Sequence, residues 1–329
     1  MRAMDEHGPA NAAEFADIIA AAEPLVLRGQ VSAWPAVAAA SAGRLDRYLR
    51  DQSSARAASC VVGLPTIAGR FFYREDMRGM NFGRRDAPLG EVLDQLQQQA
   101  DMDEPLSIAM QSASTDLVLP GFAEANPLGL LPASVRPRIW IGNRIHVATH
   151  YDSNENIACV VGGRRRFTLF PPDQAANLYI GPLELTPAGT PVSMVDVDAP
   201  DLARYPRFAD ALDSALTAEL APGDAIFIPY LWWHAVSSLD PLSVLVNYWW
   251  SALPEALSPV DALLHALVAI RAQPESRRAA WRALFDHLVF DDAAAAHLPV
   301  AARGVLGDLP EAERQEIVRQ LALKLSGRS

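Results

Sequence analysis

The sequence predicts a mainly β protein with helical additions: a β core that gives way to a helical C-terminal region. Three observations carry this expectation. Between Ile139 and Trp250 short apolar runs alternate with Gly, Pro and Asn/Asp turn signals, the pattern of a sandwich or barrel. Beyond Ser251 the apolar residues switch to helical spacing. Half of the 329 residues are hydrophobic and a fifth are charged, enough to bury a large core.

Taken in order, Glu14–Ala22 reads as a helix because Phe15, Ile18 and Ile19 share a face. Pro24–Gly29 reads as a strand closed by glycine, Trp34-Pro35 as an anchored turn and Leu45–Leu49 as a weak helix. Cys60–Gly63 and Arg70–Tyr73 look like strands around a Pro/Gly-containing turn. Leu89–Gln99 is a helix with a polar face, and Leu106–Met110 a strand. The prolines and glycines between Leu117 and Arg138 predict an irregular connection with one helical turn. Pro222-Gly223-Asp224 turns into a strand at Ala225–Ile228, and Ser243–Trp249 is the last strand. In the tail, Leu263, Leu267 and Ile270 form one stripe, Trp281, Leu284, Phe285 and Leu288 another, and Glu311–Leu325 a third amphipathic helix. The expected division is a β domain over residues 1–252, with an N-terminal αβ elaboration, and a helical region over 253–329.

Bulk chemistry narrows the function. A net charge of −11 disfavours a nucleic-acid surface spread over the molecule, because phosphate contacts need Lys and Arg. The two cysteines, Cys60 and Cys159, are far apart and form no CxxC, which points to a reducing cytoplasm rather than a disulfide framework. Residues 1–13 lack the apolar stretch of a signal peptide, and no apolar run approaches the ~20 residues that span a bilayer.

The chemistry concentrates in His150-Tyr151-Asp152 and His234. Residues two apart on a strand point the same way, so His150 and Asp152 can offer an imidazole and a carboxylate to one ion, with His234 arriving from a distant strand. Two His and one carboxylate on one face of a metal leave its other positions open, the donor set of non-haem Fe(II) oxygenases. Any one of the seven histidines is more often structural than catalytic. The setting raises these two: a strand start, a glycine pair, a second apolar strand, then a Pro-Gly-Asp turn leading to His234.

Gly162-Gly163 reads as a two-residue hairpin between Asn156–Val161 and Arg165–Phe170. Cross-strand partners share a face, which places Asn156, Ala158 and Val160 with Arg165, Phe167 and Leu169. An arginine among such residues is costly in a barrel interior unless an anion meets it. The competing reading makes that face solvent-exposed. Cys159 points the opposite way and reads as inert packing. Trp232 and Trp233 read as core, and Tyr73, Asn81, Arg84 and Arg85 as ordinary loop and turn residues rather than groups reaching over a barrel mouth.

His150–Asn156 together with Gly162–Pro172 resembles the cupin-like JmjC-type 2-oxoglutarate oxygenases, among them the asparaginyl hydroxylase of hypoxia-inducible factor. Pro222-Gly223-Asp224, Pro229, Trp232-Trp233-His234 and Asn247-Tyr248-Trp249 continue the likeness, which is dense over residues 139–250. The resemblance implies a double-stranded β-helix (cupin, or jelly-roll) with His150, Asp152 and His234 as Fe(II) ligands. It implies that Arg165 pairs with the distal carboxylate of the cosubstrate 2-oxoglutarate, that Asn156 and Asn247 line the cosubstrate pocket, and that Trp249 forms an aromatic wall. The family often adds a Tyr or Thr hydroxyl to that carboxylate; here Val147 and Ser107 stand at the corresponding positions. A helical tail of this kind commonly forms a homodimer in the family.

The leading expectation is an Fe(II)/2-oxoglutarate hydroxylase acting on a protein side chain or a small molecule. Two others stand beside it: a metal-dependent cupin enzyme that does not use 2-oxoglutarate, and a non-catalytic cupin that binds a ligand or peptide.

Overall fold

The computed structural model of the chain describes residues 1–187, 189–251 and 258–327. By internal contacts it divides into two units, residues 1–250 and 251–329.

The first unit opens with two short strands, β1 (Arg2–Ala3) and β2 (Glu6–His7). Helix α1 (Ala12–Ala21) starts from a capping box: the Asn11 side chain accepts from the Ala13 and Glu14 amides, and the Asn11 amide donates to the Glu14 carboxylate at 2.8 Å. After β3 (Leu25–Leu27), α2 (Pro35–Ser41) places proline in its first turn, where no intrahelical bond is lost, and α3 (Leu45–Gln52) follows. Next come β4 (Ala57–Gly63), β5 (Phe82–Pro88), α4 (Leu89–Gln99) and β6 (Ser107–Ser114). The connection onward holds two helical turns, α5 (Thr115–Val118) and α6 (Phe122–Ala125), where the proline and glycine content predicts one. The remainder runs β7 (Arg138–Gly142), β8 (His146–His150), β9 (Glu155–Gly162), β10 (Arg165–Phe170), α7 (Phe208–Ser214), β11 (Leu216–Leu220), β12 (Ala225–Ile228), β13 (Trp233–Ser238) and β14 (Ser243–Trp250).

These strands form two sheets, in the orders β1-β11-β10-β13-β8 and β2-β3-β12-β9-β14-β7-β6-β4-β5. From β8 onward the chain passes back and forth between them, save that β10 and β11 are neighbours in the smaller sheet, a double-stranded β-helix. Val26, Val160, Phe167, Leu169, Ile226 and Val236 pack in one cluster between the sheets. A second core, including Phe15, Val37, Leu49, Leu93 and Phe122, covers the other face of the larger sheet with the N-terminal helices. Strand β9 explains why its text is apolar at nearly every position: Ala158 and Val160 face the interior, while Ile157, Cys159 and Val161 face the helices.

Residues 2–7 join the two sheets along one side. The Arg2 and Met4 amides donate to Ala215 and Thr217 carbonyls of the smaller sheet, and His7 accepts from the Arg28 amide of the larger one. Met4, between the two strands, packs into the interior cluster.

Two sequence expectations are corrected. Gly162-Gly163 does not close a hairpin: β9 pairs with β12 and β14, β10 with β11 and β13, and the glycines turn the corner from one sheet to the other. Glycine is required at 163, where φ is +68° and a Cβ would stand 2.5 Å from the Leu242 carbonyl. Asn156 and Ala158 therefore face Arg165 and Phe167 across the interior rather than beside them in one sheet. Arg70–Tyr73 is not a strand. Only isolated bridges form, Arg70 with His146 and Tyr73 with Met80, because Phe71 and Phe72 are drawn into separate clusters and the Asn81 side chain binds Phe72 N–H and the Arg70 carbonyl.

The second unit contains α8 (Pro259–Ile270), α9 (Glu275–Leu288) and α10 (Glu311–Leu325). Leu263, Leu267, Ile270, Trp281 and Phe285 line an apolar groove of about 540 Å³ between α8 and α9. Among the described residues no helix is long and apolar enough to cross a membrane.

Candidate metal centre

Strands β8 and β13 are antiparallel neighbours, and their register sets His234 opposite His150. The imidazole centroids lie 4.2 Å apart, and His234 Nε2 is 3.6 Å from Asp152 Oδ2. One ligand atom from each of His150, Asp152 and His234 falls within 4.8 Å of the others. Asp152 does not share the strand with His150. Strand β8 ends at His150, and the carboxylate comes from the irregular segment that follows.

Both rings are oriented for coordination through Nε2. His150 Nδ1 is 2.9 Å from the Ala148 carbonyl, and His234 Nδ1 is 3.0 Å from the Trp232 carbonyl. A carbonyl only accepts, so each Nδ1 carries the proton and each Nε2 keeps its lone pair. Burial, reinforced by the neighbouring His150, pushes the His234 pKa down to about 4, so this imidazole is neutral at physiological pH.

The carboxylate is held from behind. Trp249 Nε1 donates to Asp152 Oδ2 at 3.0 Å, and Asn156 Nδ2 approaches the same oxygen at 3.5 Å. Asn247 Nδ2 donates to Asn156 Oδ1 at 3.3 Å, and Trp140 Nε1 to Asn247 Oδ1 at 2.8 Å. A polar chain thus runs from Trp140 through both asparagines to Asp152, with Trp249 stacked edge-on against Trp140. The sequence signalled Asn156, Asn247 and Trp249 as pocket residues; Trp140 carried no motif of its own and was missed.

Arg165 lines the same pocket as His150, Asp152 and His234. It lies four residues along β10 from Leu169, the partner of His234, about 13 Å of strand. The side chain is buried, its Nε donates to Ser243 Oγ at 2.8 Å, and its Nη2 has no hydrogen-bond partner. Burial alone drives the guanidinium pKa downward, the signature of a charge short of solvation. Ser238 pairs with Arg165 across β10 and β13 and shares its face; its buried Oγ also lacks a partner. Sequence reasoning missed this hydroxyl because it sits in an apolar strand, four residues after His234.

Val147 does line the pocket. Ser107 does not: its hydroxyl accepts from the Gly69 amide at 3.0 Å, and it lines a different cavity from His150, Asp152 and His234. Trp232 packs in the interior cluster and Trp233 in a separate one with Phe170 and Phe208, both as core. Tyr73 donates to the Leu185 carbonyl, Asn81 braces its own loop, and Arg84 and Arg85 lie in β5.

A family model described as a cupin-like domain matches residues 11–256. The chain belongs to that family. A plant relative, lysine-specific demethylase JMJ31 of Arabidopsis thaliana, is 35% identical over 138 residues, covering 42% of this chain and 24% of its own length. Human tRNA wybutosine-synthesizing protein 5 is 40% identical over 106 residues, 32% of this chain and 30% of that protein. The human bifunctional peptidase and (3S)-lysyl hydroxylase JMJD7 is 28% identical over 266 residues, covering 72% of this chain and 79% of itself. The chain spans about a quarter of the length of JMJ31 and of human HSPB1-associated protein 1. Two of these relatives are thus named as a lysine-specific demethylase and a (3S)-lysyl hydroxylase.

Proposed function

We propose that the chain is an Fe(II)- and 2-oxoglutarate-dependent dioxygenase that hydroxylates a protein side chain or a small molecule. One observation carries the reading: a two-histidine, one-carboxylate cluster shares its pocket with a buried arginine whose Nη2 has no partner. The donor set fits a divalent iron, and the polarity of the pocket fits a dicarboxylate whose far end needs a cation.

His150 Nε2, His234 Nε2 and an Asp152 oxygen would hold the metal. Trp249 and Asn156 fix the carboxylate that does so, and Asn247 and Trp140 fix Asn156. Arg165 Nη2, with Ser238 Oγ on the neighbouring strand, would receive the distal carboxylate of 2-oxoglutarate, which would offset the cost of burying the guanidinium. When bound, iron(II) supplies the redox chemistry that couples decarboxylation of the keto acid to oxidation of a C–H bond. The apolar walls, Val147, Ala158 and Phe167, exclude water from that chemistry.

Val147 in place of a hydroxyl favours a second reading, a metal-dependent cupin enzyme that uses no 2-oxoglutarate. Anaerobic titration of the iron-loaded protein with 2-oxoglutarate separates the two. A weak visible charge-transfer band, with succinate formed on admitting O2 and lost in Asp152→Ala, supports the dioxygenase; iron-loaded protein with no band and no succinate rejects it.

The exposed apolar faces of α8 and α9 support self-association into a homodimer through the helical unit. The two buried free thiols, Cys60 and Cys159, support placement in the reducing cytoplasm.

A further inference from the structure

We infer that Glu155 is a positioning residue that aims His234 at the metal through the corner Pro229–Trp232; the inference rests on the metal reading above. Strand β12 ends at Ile228 in the larger sheet and β13 begins at Trp233 in the smaller, so residues 229–232 must carry the chain across. The crossing forces Leu231 into the left-handed region at φ +62°, a conformation that a bulky side chain disfavours. Such a backbone persists only where its surroundings over-determine it, and such outliers gather at functional sites.

Here both anchors come from the segment that also carries the first ligand pair. The Leu231 amide donates to the Asp152 carbonyl at 3.1 Å, and the Tyr230 amide donates to Glu155 Oε2 at 3.0 Å. A turn bond from the Trp232 amide to the Pro229 carbonyl closes the corner at 3.1 Å. The Trp232 carbonyl is thereby aimed at His234 Nδ1, 3.0 Å away, and that contact leaves Nε2 facing the metal position. A continuous path therefore links the Glu155 carboxylate to the orientation of a ring on another sheet. Glu155 is half-buried, and among the described residues its carboxylate accepts the Tyr230 N–H alone. A surface glutamate at a strand start needs neither property.

The test uses the full-length chain and cobalt(II), whose visible absorption reports both affinity and ligand geometry. Glu155→Ala is expected to weaken cobalt binding about 10- to 100-fold and alter the band shape, while Glu155→Gln, which keeps a carbonyl acceptor, restores affinity to within about threefold of the unsubstituted chain. Leu231 gives an independent pair. Leu231→Gly tolerates the positive φ and should bind cobalt normally, whereas β-branched Leu231→Val should weaken binding about tenfold. Unchanged cobalt binding in Glu155→Ala or in Leu231→Val overturns the inference, as does failure of Glu155→Gln to exceed Glu155→Ala. No cobalt uptake by the unsubstituted chain overturns the metal reading, and this inference with it.

Discussion

Arg165 and Ser238 stand opposite each other on neighbouring strands, and each leaves a buried polar atom without a partner: Nη2 of the guanidinium and Oγ of the hydroxyl. Two such groups side by side cost stability unless a ligand satisfies both. Arg165→Met should therefore act in opposite directions on fold and function. Thermal unfolding of the ligand-free protein should be unchanged or raised, because an under-solvated charge is removed. The KM for 2-oxoglutarate should rise about 10- to 100-fold, from the loss of a charged hydrogen bond worth about 1.5–3 kcal/mol. Ser238→Ala should raise it by a smaller factor, about 3- to 10-fold. A Ser238→Ala enzyme with unaltered KM would remove that hydroxyl from the cosubstrate site.

Trp249→Phe keeps an aromatic ring beside Trp140 but deletes the N–H that Asp152 Oδ2 accepts. Metal affinity should fall about tenfold with little change in melting temperature, as measured by competition with a chelator. Equal falls in both would mean that the ring is packing and nothing more.

The Glu155 carboxyl pKa is raised by burial, against the opposing pull of the Tyr230 amide. Its charged form is thus the costly one. Below the unfolded-state pKa, about 4.5, both states are protonated and no penalty exists; the penalty grows as pH rises from there through the folded-state value. Glu155→Gln should accordingly melt higher than the unsubstituted chain at pH 7, and the gain should vanish near pH 4. A gain that is larger in acid would show the sign to be wrong.

Met4, between the short strands β1 and β2, is buried between the sheets. Met4→Ala should destabilise the fold by about 2–4 kcal/mol, read from urea unfolding of the metal-free protein. A terminus that merely frays would give almost no change.

Leu263, Trp281, Leu284 and Leu288 are each more than 40% exposed on α8 and α9. Light scattering should give a dimer for the full chain and a monomer for a chain ending at residue 252. An unchanged mass per particle would take the helical unit out of the assembly.

Much of this was legible because burial writes periodicity into the chain. Strand β9, apolar on both faces, and the helix Glu311–Leu325 were readable from spacing alone. The grouping of Asn156 and Ala158 with Arg165 and Phe167 was reached through a hairpin that does not exist; a shared interior follows equally from a corner between two sheets, and periodicity cannot distinguish them. Ser238, Trp140 and Glu155 stayed hidden because their roles depend on cross-strand register and on a turn, neither of which leaves a local pattern. Strands β1 and β2 escaped for another reason: two residues each, and exposed, they carry no alternation to detect.

Those first residues set a timetable for biosynthesis. Arg2 pairs with Leu216 and Glu6 with Val26, so residues 6–7 find their partner soon after synthesis and residues 2–3 only after more than two hundred further residues. A ribosome adding roughly 5–20 residues per second leaves that seam open for tens of seconds, with the Met4 side chain uncovered meanwhile. The seam between the sheets therefore closes only once β11 has been made, which leaves the pairing of residues 2–3 with residues 216–217 among the last contacts to form.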